Sequence, residues 1–183
     1  MKRIALLMVA LARMATGECL AIGLLNQQTV PPVALATARA TTEKIFSKLG
    51  VGIEWKTRES GCRTIQMLFD QPAVGAHGEA LAYALPFEKT GPRVFIFYTR
   101  VAALSSSAEG GANLGYVIAH EIGHILEGQA RHSERGVMKA SWDRQDFSQM
   151  AQQQLAFAQE DTEWIHLALA ASQSDRNAVR AAK

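Results

Sequence analysis

Apolar and polar positions follow two periods along this chain, and the changes of period mark its elements. Cys19 to Asn26 (CLAIGLLN) is an apolar run of strand length. Pro31 and Pro32 then open a stretch in which Leu35, Ala38, Thr42, Ile45, Phe46 and Leu49 recur at helical spacing, with Gly50 or Gly52 to end it. Val51, Ile53 and Trp55 alternate with Gly52, Glu54 and Lys56, the period of a strand. Ile65 to Phe69 and Arg93 to Val101 (RVFIFYTRV) read as two more strands, the second rich in β-branched and aromatic residues. Between them, Ala80 to Phe87 has room for a further strand. Ser105 to Asn113 (SSSAEGGAN) is a polar, glycine-rich loop. A helix is predicted from Leu114 to Glu127, broken by Gly128. Asp143 or Asp146 can cap a last helix running to about Ala171. The order β-α-β-β-(β)-β-α-α predicts one α+β domain.

Composition narrows the reading without changing it. The chain has 183 residues, the length of an ordinary domain, and 48% of them are hydrophobic, enough for a sizeable core. The net charge is only +2, and the lysines and arginines are scattered rather than clustered. No nucleic-acid partner is expected. Met1-Lys2-Arg3 followed by Ile4 to Ala12 has the form of an export signal. Arg13 cuts the run well short of the ~20 apolar residues of a bilayer span. A buried N-terminal helix is the plainer alternative. The expected layout is a signal peptide over 1–18, a domain over 19–171 and a frayed tail over 172–183, in a secreted or periplasmic protein. Thr16-Gly17-Glu18-Cys19 lacks the small residue before cysteine that a lipid anchor requires, so no stable membrane anchor is expected. Cleavage before Cys19 leaves two cysteines, Cys19 and Cys62, able to form one disulfide; cleavage after it leaves Cys62 alone.

Candidate chemistry is concentrated in His120-Glu121-Ile122-Gly123-His124. Residues four apart on a helix stack one turn above another, so two imidazoles there can reach a single tetrahedral zinc ion. Glu121 points elsewhere, rotated by roughly 100° from His120. It is placed to take a proton from a water held by the metal instead of ligating it. Leu114, Val117, Ile118 and Ile125 form a core-facing stripe beside the histidines. Gly128 can turn the chain back, and His132 is the first metal-capable residue after that turn. Gly136-Val137-Met138 is suited to a tight turn that brings Met138 beneath the metal.

His120 to Met138 (HEIGHILEGQARHSERGVM) resembles the zinc site of metzincin peptidases, H-E-x-x-H-x-x-G-x-x-H followed by a methionine-containing turn. The resemblance implies a single metzincin-like domain: a mixed β-sheet, a zinc-binding active-site helix and a C-terminal helix. It implies zinc on His120, His124 and His132, Glu121 as catalytic general base, Gly128 as turn glycine and Met138 as the residue of the methionine turn. The implied activity is that of an exported zinc metalloendopeptidase, a hydrolase acting on peptide or protein substrates. The intervals from His124 to Gly128 and from Gly128 to His132 are each one residue longer than in the pattern. No tyrosine follows Met138 closely, and Trp142 is the nearest large ring.

Other readings stay open. Glu160 or Glu163 of the last helix can replace His132 as third ligand. The site can also be a non-catalytic zinc-binding module that keeps the fold, or a hydrolase acting on a bond other than a peptide. His77 suits a solvated loop or a substrate cleft, His166 a core or surface position. Trp55, Trp142 and Trp164 read as core. The strand Arg93 to Val101 is the candidate to lie along the cleft and pair with an extended substrate.

Overall fold

The sheet is built outward from a run of residues that water does not reach. In β1 (Cys19–Leu25), Leu20, Ala21 and Ile22 are fully buried, as expected of a central strand flanked on both sides. β1 lies parallel to β2 (Gly52–Glu54) on one side and to β3 (Arg63–Phe69) on the other. In β3, Ile65, Met67 and Phe69 are buried on alternate positions. β3 pairs in parallel with β5 (Arg93–Ile96), and β5 pairs antiparallel with β4 (Ala82–Leu85), giving the order β2-β1-β3-β5-β4. The structure, a computed structural model, describes residues 19–26, 29–55, 62–70, 78–104 and 110–181. The leader read over 1–18 and His77 lie outside them.

Two helices pack on each other and on the sheet. α1 (Pro32–Ser47) contacts β2, and α3 (Gly110–Glu127) contacts β4 and β5. Their mutual approach depends on small residues. A Cβ at Gly111 would fall 2.7 Å from Thr37 Cβ, and one at Gly115 2.6 Å from Thr41 Cβ. Thr42 Oγ1 donates to the carbonyls of Ala38 and Gly115, at 2.9 and 3.2 Å, so the close crossing leaves this buried hydroxyl satisfied. With α1 on one face and the sheet on the other, α3 is buried almost all round, which suits its apolar composition.

The result is the expected α+β architecture with a mixed five-stranded sheet, and it differs from the sequence reading in detail. The strand predicted over Arg93 to Val101 ends at Ile96. Residues Tyr98–Ala103 form a helical turn, α2, because Phe97 and Val101 are buried at a spacing of four while the positions between them are more exposed. β5 therefore cannot pair with a substrate: it is interior, hydrogen-bonded to β3 on one side and β4 on the other. Among the described residues the outer strands are β2 and β4, and β4 is the one beside β5. α3 begins at Gly110, inside the stretch read as a loop, and Gly111 there serves close packing against α1. The last helix is two helices. Asp143 caps α4 (Arg144–Ala151) in a capping box with Asp146; α5 (Gln159–Ala181) follows and continues past Ala171. Between them Gln153 adopts φ 56°, and Leu155, Phe157 and Ala158 turn inward. Trp164 is 46% exposed on α5 rather than in the core.

Cys19, at the start of β1, is joined to Cys62, just before β3, in a disulfide. No helix among the described residues is long and apolar enough to cross a membrane.

Candidate metal centre

His120, His124 and His132 come together at the C-terminal half of α3. One ligand atom from each lies within 4.8 Å of the others, and the three form a cluster that could hold a metal ion. Gly128 makes this possible. Its φ of 64° ends α3 in a left-handed turn, with its N–H donating to His124 O at 2.9 Å, and the chain doubles back toward the helix. His132 then faces both helical histidines, its ring centroid 5.3 Å from that of His120 and 4.9 Å from that of His124. Glu160 and Glu163, the alternative third ligands, are exposed on α5 and outside this cluster. His166 is a surface residue hydrogen-bonded to Leu49 O.

The tautomers of the two helical histidines follow from their partners. His120 Nδ1 is 2.8 Å from Val137 O, and His124 Nδ1 is 3.0 Å from Gln129 O. A carbonyl only accepts, so both Nδ1 atoms carry hydrogen and both Nε2 atoms present lone pairs. Those two Nε2 atoms face each other at 3.0 Å. Burial lowers the His120 pKa to about 4, and burial also lowers that of His124, so at neutral pH no proton sits between them. Two lone pairs at this separation repel unless a cation lies between them. Donors on a tetrahedral metal at about 2.0–2.1 Å stand roughly 3.3–3.4 Å apart, close to the spacing seen. The donor set therefore fits a metal ion, with backbone carbonyls holding two of its ligands in the tautomer a metal requires.

Glu121 completes the chemistry. Its side chain is buried, its Oε2 has no hydrogen-bond partner, and it lines the cavity that His120, His124 and His132 also line. Burial pushes its pKa up to about 8. An unpaired buried carboxyl facing a cavity is costly to keep and marks a group whose partner is a ligand or a water.

The turn below the site has the expected form. Gly136 has φ 79°, Lys139 N–H donates to Gly136 O at 3.3 Å, and Val137 and Met138 are fully buried. Met138 sits against Gly123, and Val137 supplies the carbonyl that orients His120. Trp142 meets the His120 ring edge-on, with centroids 5.6 Å apart. The carbonyls of Val137 and Gln129 were not legible from side-chain spacing because any residue supplies one. Asp161, buried and bonded to the residues flanking His132, was missed because 29 positions separate it from that histidine.

The cavity in front of the cluster encloses about 1090 Å³. Six consecutive residues, Glu79 to Ala84, lie along it together with Phe87, Leu104, Val117 and Phe147. Three of them, Ala82, Tyr83 and Ala84, are consecutive residues of β4, so the strand meets the cavity along its edge rather than by one face alone. Compared with known proteins, the chain matches no family profile and no curated protein.

Proposed function

We propose that this chain is a zinc-dependent endopeptidase of metzincin-like design that acts outside the cytoplasm. The observation that carries the reading is the pair of Nε2 lone pairs of His120 and His124, fixed face to face beside the orphaned carboxyl of Glu121. Three imidazoles with a cavity on the remaining side suit a catalytic zinc, which keeps a position open for water or substrate. Zinc so bound would polarise a water and the scissile carbonyl. His120, His124 and His132 would hold it. Ionised by the charge of the bound cation, Glu121 would take the proton of the attacking water and return it to the leaving amine, and its burial keeps the proton from bulk solvent in between.

The edge position of β4 supports a peptide as substrate. An extended peptide laid along it can form main-chain hydrogen bonds with the side of β4 that no described strand pairs with, while its side chains enter the apolar cavity. This assigns to β4 the role that the sequence suggested for the strand from Arg93. The Cys19–Cys62 disulfide favours an oxidising compartment and agrees with the export signal read at the N-terminus.

The test is zinc content together with turnover. The purified chain should hold one zinc ion, and His132→Ala should lose it or bind it much more weakly. Glu121→Ala should keep the metal and lose at least about a hundredfold in hydrolysis of an unfolded protein substrate. A metal-free chain sinks the reading, and so does a Glu121→Ala variant of unchanged turnover. Zinc held firmly without hydrolysis of any peptide would leave the non-catalytic zinc module.

A further inference from the structure

The three histidines are not held alike. His120 and His124 are each fixed by a backbone carbonyl on Nδ1, whereas the exposed His132 has no hydrogen bond to its ring among the described residues. It also rides on a loop longer than the pattern that the site resembles. Its position must come from the chain on either side of it.

That chain is clamped. Arg131, the preceding residue, donates from Nη2 to Asp161 Oδ1 at 2.7 Å, and its Nε lies 3.1 Å from Glu127 Oε2. Ser133, the following residue, donates from Oγ to the same Asp161 oxygen at 2.5 Å, and its N–H donates to Met138 O at 2.9 Å. The other Asp161 oxygen accepts from Ala158 N–H at 3.2 Å, at the start of α5. Asp161 is completely buried. Arg131 is partly exposed, so the pair contributes a defined geometry around the buried carboxylate more than stability.

We infer that Arg131 and Asp161 are the positioning residues of His132: one carboxylate on α5 grips both neighbours of the third ligand and sets the lengthened loop at metal-binding distance. This rests on the metal centre proposed above. The two extra residues of the loop are thereby accommodated, since the carboxylate draws Arg131 inward and leaves His132 turned to the other two histidines.

The experiment is a set of zinc affinities, measured on the full chain by competition with a chromophoric chelator, with cobalt(II) absorption as a second readout. Arg131→Gln and Asp161→Asn should each weaken zinc about tenfold to a hundredfold, the range for lost outer partners of metal ligands. They should also shift the cobalt spectrum. Ser133→Ala, which leaves the ion pair intact, should cost roughly threefold to tenfold. Placed on a His132→Ala background, none of these changes should lower affinity further. In the metal-free protein, Arg131→Gln should speed amide exchange over residues 129–133. Variants that bind zinc like the parent overturn the inference, as does an equal loss on the His132→Ala background, which marks a purely structural network. Failure of the metal centre shows differently: the unaltered chain binds no zinc, or His132→Ala binds it as well as the parent, and the positioning role falls with it.

Discussion

Met138 lies with its sulfur against the Cα of Gly123, where the side chain of any other residue would have to be. A methyl group on Gly123 would overlap the sulfur and come within 3.1 Å of Met138 Cε and 3.3 Å of Phe157 Cε1. Gly123 directly precedes His124 on α3, and Met138 closes the turn whose Val137 carbonyl orients His120. One contact thus sets the distance between the ligand helix and the turn beneath it.

Gly123→Ala should therefore destabilise the chain although it replaces glycine inside a helix. The helical gain is about 1 kcal/mol. Overpacking a closed core costs about 1–3 kcal/mol. Met138 is fully buried and backed by Phe157, so it has little freedom to swing aside. A net loss of roughly 1–2 kcal/mol is expected in denaturant melts, together with weaker zinc binding. Gly123→Ala combined with Met138→Ala should recover part of the zinc affinity. A single variant as stable as the parent would show that the contact yields easily.

The metal-free chain should lose stability in alkali through Glu121. Its folded pKa, about 8, stands above the ordinary 4.5, so the folded state holds this proton more tightly than the unfolded one. The stabilisation is complete below about pH 4.5 and is lost as pH rises through about 8. His120 acts in the opposite direction. Its folded pKa of about 4 lies below 6.5, so its contribution is present above 6.5 and is lost as pH falls toward 4. Glu121→Gln should thus raise the Tm of the metal-free protein by several degrees at pH 9 and leave it nearly unchanged at pH 5. Equal effects at the two pH values would show that Glu121 is already ionised in the fold.

Much of this site was legible because its chemistry is local. His120, Glu121 and His124 lie within five residues on a helix whose period alone decides which side chains share a face. The strands β1 and β3 were equally plain from their apolar runs. Other features are set by contacts between distant residues. Gly111 reads as part of a loop by composition, and only Thr37 of α1, packed against it, gives its lack of a side chain a purpose. β5 has clear strand composition, but its place inside the sheet is set by pairing with β3 and β4, which composition does not reveal. The edge went to β4, whose short run Ala82 to Leu85 showed little alternation. The break between α4 and α5 has no glycine or proline to announce it and rests on Gln153 in a left-handed conformation.

The disulfide should carry a large share of the stability. It closes a segment of 43 residues between the first strand and the third. Chain entropy then assigns it about 4 kcal/mol, a large fraction of the stability of a domain this size. Cys19→Ala with Cys62→Ala should lower the unfolding free energy by about 2–4 kcal/mol, as a reductant does to the parent. Zinc affinity at saturating metal and low temperature should change little, since neither cysteine is part of the histidine cluster. A variant that melts with the parent would mean that the unfolded chain is already held compact.

Phe87 offers a test of the cleft that leaves the fold alone. It is 81% exposed, an unusual state for so large an apolar side chain, and it lines the cavity with its ring over Gly128. So much exposed ring contributes little to folding, so Phe87→Ala should leave both Tm and zinc content as they are. A substrate side chain entering the cavity would cover the ring and gain the area it removes from water. The variant should then cut peptides with an apolar residue near the scissile bond roughly tenfold less efficiently, mainly through KM, and peptides with a small polar residue there nearly as well as the parent. Equal losses on both peptides would mean that Phe87 contacts the peptide backbone. No loss on either would place the substrate elsewhere along β4, toward Leu104 and Val117.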